Sequence, residues 1–129
     1  MNEILEEAIE CYSGPILYIG KIDKQLKKYD PTTLSLVMEK SLFAIINKNV
    51  PIWIKLLKLK ENLRKEKNIL LIKDLDKVSE EDQGKILDII KTNKISSFSL
   101  PQKLIVILNA EKEFEMSEEL QRLVEIIRG

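Results

Sequence analysis

The chain has 129 residues, a length that suits one domain with a real core. Its 21 basic and 21 acidic residues cancel, which argues against a surface built wholly to hold nucleic acid or anionic membrane, though not against a local patch. With no histidine and Cys11 as the lone cysteine, the sequence excludes zinc clusters, haem ligation, imidazole acid–base catalysis and internal disulfides.

The first segment, MNEILEEAIE, is acidic, and no apolar run reaches membrane-spanning length, so a soluble cytoplasmic protein is expected. Asn2 to Tyr12 reads as a helix with Ile4, Leu5, Ala8 and Ile9 on its apolar face, and Cys11 is expected to be a small buried residue near its end. Ser13, Gly14 and Pro15 break it. Ile16 to Ile19 is the first buried strand, ending at Gly20. Lys24, Lys27 and Lys28 then form a basic turn able to attract an anion or a partner.

Asp30-Pro31 has the N-cap and N1 order of a helix start, predicting a helix to about Asn47 with Leu34, Val37, Met38, Phe43, Ile45 and Ile46 buried. Val50 to Leu57 predicts a marginal strand, Ile52, Ile54 and Leu56 facing one way and Trp53, Lys55 and Leu57 the other. Trp53 reads as an anchor of the core or sheet edge. Lys58 to Lys67 is a charged helical segment.

Asn68 to Ala110 is the most informative stretch. Ile69 to Ile72 is an unbroken apolar run, as in a strand covered on both faces. Ser79 is a hydroxyl N-cap followed by Glu80, Glu81 and Asp82, and Ile86, Leu87, Ile89 and Ile90 give the ensuing helix an apolar face. After a polar crossover through Ser96, Ser97 and Pro101, Leu104 to Leu108 is a second buried strand. Such a βαβ unit places Lys73, Asp74, Asp76 and Asn109 along the carboxyl edge, where open parallel sheets gather ligands. Asn109 is read there as closing a strand end and bonding a neighbouring loop. An acidic loop follows, and Ser117 caps a final helix with Leu120, Leu123, Val124, Ile126 and Ile127 on its face. The alternation of elements predicts an α/β fold: three layers, doubly wound, with a mostly parallel sheet of four or five strands flanked by helices.

LLIKDLDKVSEEDQGKILDII resembles the second nucleotide motif and following helix of AAA+ ATPases, and LPQKLIVILNA resembles their sensor-1 strand, with Asn109 at the polar position. The resemblance runs from about Pro15 to Arg128, and its specific part is Asn68 to Ala110. The chain departs from the family where nucleotide chemistry needs it most. After Gly20, Asp23, Gln25, Leu26 and Lys27 stand where further glycines, a lysine and a hydroxyl would build a phosphate loop. Lys73 and Asp74 stand where an acid would hold magnesium and another would polarise water, and a charged lysine offers a metal no lone pair. Arg122 and Arg128 fall near the family's arginine-finger region.

The resemblance thus implies one AAA+-like domain over residues 1–129 without a helical lid, not an enzyme, with no catalytic residues, metal or cofactor. Its expected partner is a protein: an active AAA+ ATPase or a second copy, in an accessory or regulatory role, DNA replication or repair being the commonest setting. Nucleic acid is a weaker expectation and membrane none. The alternative is a receiver-like, flavodoxin-type signalling domain with Asp74 as phosphoacceptor and Asn109 at the switch position. It lacks the acidic pair expected after the first strand. A small ATPase with an unrecognised phosphate loop is a third reading.

Overall fold

The computed structural model describes residues 3–11, 14–36, 52–63, 67–95, 98–101 and 103–129. In chain order they form α1 (Glu3–Cys11), β1 (Ile16–Ile19), β2 (Thr32–Ser35), α2 (Ile52–Leu63), β3 (Ile69–Lys73), α3 (Glu80–Thr92), β4 (Lys94–Ile95), β5 (Phe98–Ser99), β6 (Ile105–Ala110), α4 (Glu118–Leu123) and β7 (Glu125–Arg128). Single turns of 3-10 helix at Lys27–Tyr29 and Leu75–Lys77 follow β1 and β3.

Five strands make one parallel sheet in the order β2-β3-β6-β1-β7, and β4 and β5 form a small antiparallel hairpin inside the α3–β6 crossover. The apolar runs of β1, β3 and β6 are unbroken because both faces of the sheet are covered. Period-two alternation divides each run between two cores. Leu17, Ile19, Leu70, Ile72, Val106 and Leu108 join Ile54 and Leu57 of α2, Ile86, Leu87 and Ile89 of α3 and Leu120 of α4. On the opposite face, Ile16, Tyr18, Ile69, Leu71, Ile105 and Ile107 pack with Leu5, Ala8 and Ile9 of α1 and with Ile22, Leu26 and Tyr29 of the β1–β2 connection. The expected three-layer α/β fold is present, with all five main strands parallel.

Handedness explains which connection takes which face. The steps β2–β3, β3–β6 and β6–β7 move the same way across the sheet, and α2, α3 and α4 all lie on one face. The step β1–β2 moves the opposite way, and its connection lies on the other face, as right-handed crossovers require.

Several expectations are corrected. The helix predicted from Asp30 does not begin there: Asp30 has left-handed backbone (φ 47°) and closes the 3-10 turn, and Thr32–Ser35 is a strand paired with β3, Thr32 opposite Leu70. Two β-branched threonines in the slot beside a buried strand outweigh the capping signal of Asp30-Pro31. The rest of that prediction, including Val37, Met38, Phe43, Ile45 and Ile46, lies outside the described residues. The strand predicted over Val50 to Leu57 is instead the start of α2. Ile54 and Leu57, one helical turn apart, are fully buried, whereas Leu56 is 43% exposed. Glu125–Arg128 is no helical extension but the fifth strand, added to β1 with Ile126 opposite Leu17. Cys11 is exposed, because Leu5, Ala8 and Ile9 set the buried stripe of α1 and Cys11 falls outside it.

Candidate functional site

The β6–β1 boundary is the point where outgoing connections part. The chain leaving β6 crosses one face through α4 to β7, and the chain leaving β1 crosses the other face to β2. Open parallel sheets present a ligand crevice at such a switch point, beyond the carboxyl ends of the strands. Gly20, Lys73, Asp74 and Asn109 all come to this edge, since β6 lies between β1 and β3.

Gly20 turns the chain out of β1 with φ 139°, a conformation that L side chains rarely adopt, while its N–H donates to the Ala110 carbonyl at 2.8 Å. A side chain there would also press on the Tyr18 ring, 3.3 Å from Cε1. Gln25 pins the next turn: its Nε2 donates to the Tyr18 hydroxyl and to the Lys21 carbonyl. Ile22 and Leu26 bury beneath this loop, leaving Lys21, Asp23 and Lys24 outside.

Asn109 is the last residue but one of β6, and its side chain is 1% exposed. Its Nδ2 donates to the Tyr18 carbonyl at 2.9 Å and to the Gly20 carbonyl at 3.0 Å, joining the ends of β6 and β1. Lys73, at the end of β3, reaches the same loop from the other side. Its Nζ lies 2.7 and 2.9 Å from the two carboxylate oxygens of Asp23.

Asp74 turns away from this pair. It adopts a left-handed conformation (φ 69°) as the chain leaves β3, and one oxygen accepts from the Ser35 hydroxyl at the end of β2 while the other meets Lys77 at 3.3 Å. Burial opposes ionisation of this carboxyl, but the Ser35 hydrogen bond, Lys77 and the nearby charge of Lys73 outweigh it and hold its pKa below the ordinary value. Asp76 is not part of this arrangement, and its Oδ1 is buried without a hydrogen-bond partner.

Arg128, opposite Ile19 at the end of β7, also comes to this edge, where it pairs with Glu113, whose carboxylate stabilises the charged guanidinium. The remaining candidates are dispersed. Arg122 lies in the last turn of α4, three residues before β7 begins, at the opposite edge of the sheet, and its Glu118 contact is fully in solvent. Lys28 pairs with Glu6 of α1 and lies 5.0 Å from the Tyr29 ring centroid. Lys24 and Lys27 are exposed. Asp23 as the partner of Lys73, and Ser35 as the partner of Asp74, were not anticipated. Recognising Thr32–Ser35 as a strand would have placed Ser35 beside Asp74.

No known family model matches the chain, and no curated protein matches it either. Among the described residues no group of three or more acids or cysteines could hold a metal ion, and no helix is long and apolar enough to cross a membrane.

Proposed function

We propose that this chain is a non-catalytic AAA+-like α/β domain that acts through protein contact, as an accessory or regulatory part of an ATPase or of a replication or repair assembly. The observation that carries the reading is the direction in which its edge residues are committed. Lys73 is spent on Asp23, and Asn109 on two main-chain carbonyls, so the groups at the nucleotide-equivalent positions bond one another. A site evolved for triphosphate and magnesium needs those groups turned toward a ligand. An α/β scaffold that retains its sheet while its polar edge bonds inward suits a docking role. The expected partner is an active AAA+ ATPase or a second copy.

The test is a melting-temperature titration with ATP and magnesium, because a ligand that binds only the native state must raise the midpoint. No shift up to millimolar nucleotide is expected, and a saturable rise would overturn the reading. The receiver-like alternative draws less support, since both oxygens of Asp74 are already engaged. Acetyl phosphate is expected to leave Asp74 unlabelled by mass spectrometry.

A further inference from the structure

Among the described residues three large apolar side chains are exposed, and they fall on two helices. Leu56 and Leu59 of α2 are 43% and 52% exposed, and Ile4 of α1 is 62% exposed. A surface helix ordinarily keeps its outer side polar. α2 buries Ile54 and Leu57 against the sheet, yet it also carries Leu56 and Leu59 on its outer side, with Lys55 and Lys58 exposed around them. α1 is its electrostatic opposite: Glu3 and Glu7 are exposed beside Ile4, and its last turn holds no basic residue. Among the described residues Glu3, Glu7, Lys55 and Lys58 form no ion pair.

We propose that the outer side of α1 on one copy docks on the outer side of α2 on the next, so that the protein associates with itself head to tail. The inference rests on the protein-contact part of the reading above and deepens it by choosing a second copy as the partner. The two surfaces are complementary, since each sets exposed apolar side chains among charges, acidic on α1 and basic on α2. They cannot meet within one chain, because α1 packs on one face of the sheet and α2 on the other. Their opposed directions also fix the symmetry. A two-fold dimer would need both surfaces on one side of the molecule, whereas this arrangement leaves one of them open at each end of any pair. Association therefore continues beyond two copies. Helices of 9 and 12 residues bury too little for a permanent interface, so the association is weak and reversible.

The test is sedimentation velocity of the full chain at low salt, from micromolar to millimolar concentration, on wild type, Glu3→Lys/Glu7→Lys and Lys55→Glu/Lys58→Glu. The average mass of wild type is expected to climb with concentration past that of two chains. Each double variant sets like charges against each other and is expected to associate at least about tenfold more weakly, as two exposed pairs turned from attraction to repulsion imply. An equimolar mixture of the two variants restores opposite charges at every contact and is expected to regain association, which a misfolded variant could not do. Wild type that stays monomeric would leave the two surfaces to a different protein and overturn the proposal. Growth that stops at two chains, variants that associate like wild type, or a mixture that stays dissociated would each overturn it too. If the lysines unsettle α1, Glu7→Lys and Lys58→Glu repeat the exchange with one charge each. Stabilisation by ATP and magnesium would sink the non-catalytic reading and leave the association standing, whereas a monomeric wild type would sink the choice of partner alone, so the two failures are distinguishable.

Discussion

Asn109 and Lys73 stand on neighbouring strands of one sheet edge, and both reach toward the loop leaving β1, yet they do so on opposite terms. Asn109 is buried and gives both its bonds to main-chain carbonyls at the end of β1. The Lys73–Asp23 pair lies toward solvent, where water and salt compete for both partners. Equal-looking distances therefore describe unequal ties. The buried one fixes where β1 ends, and the exposed one holds the β1–β2 loop to β3 only as firmly as solvent allows.

The largest effect should come from the buried tie. Asn109→Ala removes the buried amide that bonds both the Tyr18 and the Gly20 carbonyls and is expected to cost about 2–3 kcal/mol, read as a lower urea midpoint at unchanged slope. A loss below about 0.5 kcal/mol, the size of an ordinary surface substitution, would mean that water replaces the amide and that the contrast with Lys73 does not hold.

Asp74 lies between these extremes, with its side chain 15% exposed. Removing the hydroxyl in Ser35→Ala is expected to cost about 1–2 kcal/mol at neutral pH, the usual range for a hydrogen bond to a charged group that keeps some solvent. The sign of the pH dependence follows from the lowered folded-state pKa. The unfolded chain takes up the Asp74 proton first, so this contribution is complete above the ordinary carboxylate value of 3.8 and fades as pH falls through the lower folded value. Denaturation of wild type and Ser35→Ala across pH 2 to 6 should show the gap closing toward the acid end. Glu6 and Glu113 are also held low by basic partners, so only the difference between the two proteins isolates Asp74. A gap that stays constant, or widens in acid, would place the hydroxyl's contribution elsewhere.

The fold was legible wherever burial was two-sided. Ile69 to Ile72 and Leu104 to Leu108 could not be solvent-facing, and Ser79 marked its helix start by a cap that the structure contains, Oγ accepting from the Asp82 N–H. Legibility failed at the sheet margins and on the amphipathic helix. Thr32–Ser35 and Glu125–Arg128 are short edge strands whose identity comes from the buried neighbour each one pairs with, information that no local window carries. The segment from Ile52 to Leu57 satisfies both a two-residue and a helical period, and only the burial of Ile54 with Leu57 separates them. A proline immediately before Ile52 was the local hint of a helix start. The candidate site was half legible for the same reason. Lys73 and Asn109 lie at the ends of strands that could be read, whereas Asp23 and Ser35 owe their roles to partners 50 and 39 residues away.

The smallest effect should come from the Lys73–Asp23 pair. Asp23→Asn, Lys73→Gln and the double variant form a cycle whose coupling energy is expected to be at most about 1 kcal/mol, the range of exposed pairs. Raising salt from about 0.05 to 0.5 M should reduce that coupling markedly, since screening acts on solvent-exposed charges within a few ångströms. The amide of Asn109 carries no charge, so the cost of Asn109→Ala should not respond to salt in the same way. A salt-insensitive coupling above about 2 kcal/mol would make Lys73–Asp23 a structural brace equivalent to Asn109. A weak and screened coupling would leave Asn109 holding this edge while the Lys73–Asp23 contact yields to the solvent around it.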